Sequence, residues 1–177
     1  VAVVGGGFIG SELAAALNMN GCAVTLVFPG AGISAKVFPE DLSEFVNGYY
    51  REKGVDVRPG EKVAGVGRED GAFRVELENG ETIEADVVVA GLGIVPRTAL
   101  AEQTGLRVDD GVIVDEYGRV EGHDDVYAAG DVARFPAVAL GGLRRVEHEN
   151  HANSHGRYVG ANMAGADTPY DYLPFFY

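Results

Sequence analysis

The chain has 177 residues, 46% hydrophobic and 23% charged, enough to bury the core of one domain or of one and a fraction. Its 27 acidic residues against 14 basic ones give a formal net charge of −13, which repels phosphate backbones and anionic lipid surfaces and argues against a nucleic-acid partner. One cysteine, Cys22, leaves no internal disulfide, Cys-x-x-Cys pair or multi-cysteine zinc site, and no apolar run approaches the roughly 20 residues of a membrane span; cytoplasm is the expected location.

Val1 to Val4 read as a buried strand, so the fold begins in mid-course and a preceding segment is expected. Gly5, Gly7 and Gly10 then form G-x-G-x-x-G, followed by helix formers from Ser11 to Asn20 and, after Gly21, a second strand from Ala23 to Phe28. In a strand–turn–helix context the first glycine makes a tight turn, the second admits a pyrophosphate to the backbone, and the third lets helix and strand pack closely. The phosphates meet the positive end of the helix dipole and its unpaired N–H groups. A dinucleotide is the ligand this predicts.

NAD-binding fingerprints place an acid about 20 residues past the glycines to hold the ribose hydroxyls, whereas NADP sites use an arginine. Here the second strand runs into "FPGAG", no acid occurs between Glu12 and Glu40, and Lys36 is the only basic residue nearby. Weak discrimination between NADH and NADPH follows.

Ser34 to Pro39 reads as a loop and Glu40 to Lys53 as an amphipathic helix with Leu42, Phe45, Val46 and Tyr49 inward. "VDVRPG" is a short strand. "EKVAGVGRE", "AFRVELENG" and "ETIEADVVVAGLG" alternate apolar and polar residues around "DG" and "NG" turns, predicting an antiparallel meander that ends in a buried parallel strand, Val87 to Ala90. The fold class is thus α/β, a Rossmann-like parallel sheet with an antiparallel meander. A boundary near Pro96 separates residues 1–96 from 97–177. In the second part "DVYAAGD" reads as a short strand ending in a carboxylate, and a helix is expected from about Glu147 to Met163, before the aromatic "PYDYLPFFY".

His148, His151 and His155 fall on one face of that helix. A metal site is not predicted from them, because the zincin pattern needs a glutamate directly after the first of two histidines at i and i+4, and Ala152 follows His151.

In this order "VVGGGFIGSEL", "VVVAGLGIVP", "VYAAGDVARFP" and "RRVEHENHA" resemble the FAD-dependent pyridine nucleotide-disulfide oxidoreductases, in the branch of apoptosis-inducing factor and monodehydroascorbate reductase. "FVNGYYREKGV" and the terminal aromatics look most like the monodehydroascorbate reductase side. The resemblance implies an NAD(P)H domain over residues 1–96 and, over 97–177, the second half of an FAD domain, truncated where an interface domain begins. The first FAD half would precede Val1.

By resemblance Phe8 covers the nicotinamide ring, Glu12 accepts a hydrogen bond from its amide, and Asp131 holds the ribityl chain of the flavin. Gly93, in "GLGIVP", allows close approach to the cofactor, and Glu147 and His148 lie near flavin and nicotinamide. The implied activity passes hydride from NADH or NADPH to FAD and electrons onward; no side chain here need act as an acid or base, so no catalytic residue is assigned. The electron acceptor is unassigned: ascorbyl radical, ferredoxin, quinone and dye all fit, and a homo-oligomer is left open. Two other classes stand beside this one. The first is a nucleotide-responsive interaction protein with little turnover, which steady-state NADH oxidation would separate; the second is a free-standing dinucleotide-binding module.

Overall fold

The structure is a computed structural model that describes residues 1–175; Phe176 and Tyr177, the last of the terminal aromatics, lie outside the described residues. It divides into two compact units, Val1–Ile94 and the residues from Val95 onward.

In the first unit β1 (Ala2–Val4), β2 (Thr25–Phe28), β3 (Asp56–Pro59) and β7 (Val88–Ala90) form a parallel sheet in the order β3-β2-β1-β7. Side chains alternate across such a sheet. Val3, Leu26, Phe28 and Val57 therefore share a core with Ala14 of helix α1 (Phe8–Met19) and with half-buried Val46 and Tyr50 of α2 (Glu40–Glu52). Ala2, Val4 and Val27 face the other way, onto Val75, Leu77, Ile83 and Ala85. Those four belong to the meander β4 (Val63–Glu69), β5 (Ala72–Leu77) and β6 (Thr82–Ala85), an antiparallel sheet in that order. Each fully buried Val or Leu stabilises by about 1.5–3 kcal/mol. The "DG" turn has both central residues at positive φ, Asp70 at 51° and Gly71 at 89°, the requirement of a two-residue I′ hairpin. "NG" instead sits in a longer loop, where the Asn79 side chain accepts from Glu81 N at 2.8 Å.

Three expectations fail in this unit. Helix α1 starts at Phe8 rather than Ser11, since Ser11 N already donates to Gly7 O at 2.9 Å. On α2, Leu42, Phe45 and Tyr49 are exposed; the inward face is Ser43, Val46, Asn47 and Tyr50. Apolar spacing selected the wrong stripe because the β2–α2 loop packs on Ser43 at Gly32 and bonds its backbone to the Asn47 amide. The strand β7 is half-buried, and Val87 before it is exposed.

The second unit holds α3 (Ala99–Gln103), a three-stranded sheet in the order β10-β9-β8, and α4 (Glu149–Met163). Strand β9 (Ala133–Pro136) pairs in parallel with β8 (Val112–Ile113) and antiparallel with β10 (Leu143–Arg144). "DVYAAGD" forms no strand. Only Tyr127 bridges, to Arg119, and Gly130–Val132 makes one 3-10 turn ahead of β9. Glu147 does not open the last helix; it precedes the N-cap, His148.

The buried stripe of α4 carries His151, His155, Val159 and Asn162. His151 stacks on Phe135 at 4.8 Å and His155 on Tyr170 at 4.6 Å, with the two imidazoles 4.9 Å apart. Tyr170 Oη lies 2.7 Å from Ser154 Oγ and 3.2 Å from His151 Nδ1. His155 Nδ1 accepts from Gly130 N at 3.3 Å, so its neutral form also fastens the 3-10 turn.

Burial, reinforced by neighbouring His151, pushes the His155 pKa down from 6.5 to about 4; burial lowers that of His151 too. The unfolded chain then binds more protons than the folded one between these values, so stability falls as pH drops through that window and is fully present above it. His155 alone sets a loss of roughly 3 kcal/mol between neutral pH and pH 4. Urea melts followed by the tyrosine near-ultraviolet dichroism should show this loss, and His155→Leu should flatten it; an unchanged slope would place the acid sensitivity elsewhere.

Candidate dinucleotide and flavin sites

At the carboxyl end of β1, three stretches of backbone meet with no side chain between them. Gly5, at φ 117°, sits so close under the strand β7 terminus that a methyl on it would overlap the Gly91 carbonyl oxygen. A methyl on Gly10 would overlap the Gly5 carbonyl oxygen, and one on Gly91 would stand 3.0 Å from Gly10 N. Gly91 N in turn donates to Val4 O at 2.7 Å, and Gly5 N to Val27 O at 2.8 Å. Gly7 differs. It is exposed, and a methyl there meets nothing within 4 Å.

Gly7 is also the N-cap of α1 and provides no side-chain cap. The N–H groups of Phe8, Ile9 and Gly10 precede the first helical bond, so they have no intrahelical partner. An open glycine face beside uncapped helix N–H groups has the shape and polarity of a pyrophosphate cradle. The chain leaves strand order β3-β2 on one side of β1 and returns through β7 on the other. Ligands of open α/β sheets collect at such a switch point.

Phe8 opens α1, half-exposed, with its ring edge-on to Phe38 at 6.2 Å and 78°. Glu12 is exposed in the second helical turn, not the first; at i+4 it stands on the same face as Phe8. Lys36 is exposed on the β2–α2 loop. Gly30, at the end of β2, is exposed, and a methyl there finds its nearest neighbour at 3.7 Å, so a longer side chain has room. Gly93 lies beyond β7 at φ 90° in open space, which explains glycine by conformation rather than by crowding.

In the second unit Asp131 presents an exposed carboxylate from the 3-10 turn. His148 Nδ1 accepts from Asn150 N at 3.1 Å, so the proton of the neutral ring sits on Nε2. Glu147 Oε1 lies 2.5 Å from Arg145 Nη1. Arg145 went unnoticed in the sequence, yet its guanidinium joins Asp110 at 3.2 Å, Glu147, and the Asp131 carbonyl oxygen at 3.4 Å. Burial lowers its pKa and the two carboxylates raise it by more, so it stays charged. Gly91 was also missed; only the position of β7 beside β1 reveals it.

Residues 1–156 match the profile of the family described as pyridine nucleotide-disulphide oxidoreductase. The chain belongs to that family. It is 39% identical over 188 residues to apoptosis-inducing factor 1, mitochondrial, of Dictyostelium discoideum, covering 100% of this chain and 35% of that protein. With monodehydroascorbate reductase 3 of Arabidopsis thaliana it shares 39% over 182 residues, covering 99% of this chain and 41% of the relative. The chain therefore spans less than half the length of these relatives. Among solved structures, the covalent putidaredoxin reductase–putidaredoxin complex superposes with a TM-score of 0.89 at 33% identity, covering 99% of this chain and 42% of that one. The water-forming NADH oxidase of Lactobacillus brevis bound to NADH gives 0.86 at 27%, covering 96% and 37%. The α/β fold is that of FAD- and NAD(P)H-dependent oxidoreductases.

The two glycines that look alike in sequence should behave differently. Gly7→Ala should leave the melting temperature within a few degrees of the parent and weaken dinucleotide binding roughly tenfold or more, since its methyl fills only the cradle. Gly10→Ala should destabilise the first unit, because the Gly5 carbonyl cannot retreat. Calorimetric melting with parallel nucleotide titration separates the two; equal destabilisation by both would overturn the assignment of the open face.

Proposed function

We propose that this chain supplies the nicotinamide-dinucleotide domain, residues 1–96, and part of the FAD domain, residues 97–177, of an NAD(P)H-dependent flavoprotein oxidoreductase. The observation that carries this is the backbone cradle at Gly7, open above a close-packed glycine knot and an uncapped helix. Support comes from the family match and from the likeness to a putidaredoxin reductase and to a water-forming NADH oxidase.

When bound, the nicotinamide supplies a hydride and the flavin accepts it, while the protein contributes placement and electrostatics. The first-turn N–H groups of α1 hold the pyrophosphate, offsetting a net charge of −13 that disfavours an anion. Phe8, steadied edge-on by Phe38, offers a flat apolar face to the nicotinamide ring, and Glu12 one turn along accepts from its amide. Gly93 leaves backbone space for the ring to approach.

Asp131 accepts from hydroxyl groups of the flavin ribityl chain, and Arg145 braces the turn beneath it through the Asp131 carbonyl oxygen. His148, proton on Nε2, and Glu147, held by Arg145, stand at the start of α4 for the flavin side. Hydride placement is steep in distance, so these residues act on rate through position alone. In the full-length protein Asp131→Ala should lower flavin retention by roughly tenfold or more while leaving NADH affinity within about twofold; equal loss of both would point to misfolding instead.

Gly30 occupies the place where an acid would hold the ribose hydroxyls and repel a 2′-phosphate. The engineered Lactobacillus brevis oxidase variant bound to NADPH carries alanine in place of an aspartate and two introduced arginines. Wild-type chain should accordingly bind NADH and NADPH within about tenfold of each other, and Gly30→Glu should shift the ratio toward NADH by roughly tenfold or more, chiefly by weakening NADPH. Titration calorimetry of the 177-residue chain with both nucleotides tests this. Absence of binding to either would overturn the proposed function, and a wild-type preference for NADH of a hundredfold would show that another group reads the ribose.

A further inference from the structure

The loop from Gly30 to Phe38 joins β2 to α2 and frames the end of the cradle. It is fastened at few points. Ser34 N donates to Gly6 O at 2.7 Å, tying the loop to the glycine turn, and Gly60 N donates to Gly30 O at 2.9 Å. Between those ties stands Asn47 of α2, 4% exposed. Its Oδ1 accepts from Ile33 N at 3.0 Å and its Nδ2 donates to Ala31 O at 3.0 Å. One side chain thereby satisfies both polar groups of a backbone stretch that passes over the helix.

Beside it opens a crevice of about 490 Å³, lined in part by Ala31, Gly32, Phe38, Ser43 and Asn47. The Ile33 side chain is buried in the core of the first unit, whereas Ala31 is exposed, so the bond from Asn47 to Ala31 O holds the loop where core packing does not reach. At Gly32 the approach to α2 is so close that a methyl would stand 2.5 Å from Ser43 Cβ. Ser34 is held at φ 54°, a left-handed conformation that a serine adopts only when its surroundings impose it. These are the marks of a loop fixed in one conformation by α2.

We propose that Asn47 is the positioning residue for the adenosine end of the dinucleotide, fixing the Gly30–Ser34 loop at the ribose through its two hydrogen bonds to Ile33 N and Ala31 O. This rests on the dinucleotide reading of the glycine turn. Asn47 itself faces the loop backbone. It acts by keeping the loop in the binding-competent conformation, so losing its bonds lowers the population of that conformation and raises the apparent dissociation constant in proportion. The nicotinamide end, at Phe8 and Glu12, is carried on α1 and meets the loop through Phe38, four residues beyond Ser34.

Asn47→Leu keeps the branched skeleton, with methyl groups in place of the amide oxygen and nitrogen, and removes both bonds. In the 177-residue chain it should raise the dissociation constants of NADH and of ADP-ribose roughly tenfold by calorimetry, and leave reduced nicotinamide mononucleotide, followed by ligand-observed NMR, within about twofold. Asn47→Asp, which retains the acceptor for Ile33 N, should fall between, and it serves as the readout where the leucine variant does not fold. Unchanged NADH and ADP-ribose binding, or equal weakening of all three ligands, would overturn the proposal while leaving the dinucleotide site standing. Failure of the parent chain to bind any of the three would remove the dinucleotide reading and this inference together.

Discussion

The contact on which the first unit depends is backbone against backbone, Gly10 over the Gly5 carbonyl and Gly5 under that of Gly91. No side chain separates α1 from the ends of β1 and β7, so the helix axis points at the strand terminus from the shortest possible range. The same closeness lifts Gly7 clear of everything else and leaves it beside first-turn N–H groups of α1 that have no intrahelical partner. The open, uncapped helix start is thus a by-product of packing. The knot can close only if β7 returns beside β1, which places the meander on one face of the sheet and leaves the other face to the two helices.

Much of this arrangement was legible in the sequence where local pattern and tertiary role agree. The glycine spacing, the alternating meander and the "DG" hairpin each encode their own geometry. What escaped were features that become visible only when distant segments meet. Gly91 looks like an ordinary loop glycine until β7 is placed next to β1. Arg145 looks like a surface cation until Asp110 and Glu147 close on it. The 3-10 turn at Gly130–Val132 resembled the end of a strand because "VYAA" is apolar, yet Val126 O and Ala128 N bond on one side only, to Val120 N and Gly118 O.

Helix α2 shows why periodicity misled. Its apolar stripe, Leu42, Phe45 and Tyr49, faces outward, with Phe45 stacked on Tyr49 at 6.5 Å and Lys53 over the Tyr49 ring. The inward stripe is one position over and half polar. A backbone loop lying on a helix needs partners for its N–H and C=O groups, and an amide supplies one of each. Asn47 meets that need at the cost of an apolar residue in the core, and the displaced hydrophobic surface goes to the outside. A similar choice appears on α4, where imidazoles stacked on Phe135 and Tyr170 occupy core positions and burial retains their neutral forms.

The near-contact of Gly32 with Ser43 restricts how this sequence can drift. Gly32 is not free to gain a side chain while Ser43 stays as it is, because a methyl at 32 would stand 2.5 Å from Ser43 Cβ. An alanine at 32 becomes acceptable only in a background that has already lost the side chain at 43, and the order of those two changes is therefore not interchangeable. Descendants of this chain should carry the pair as linked states, small with small or one gained against one lost, so the seam between loop and helix behaves as one heritable unit spread over two codons eleven residues apart.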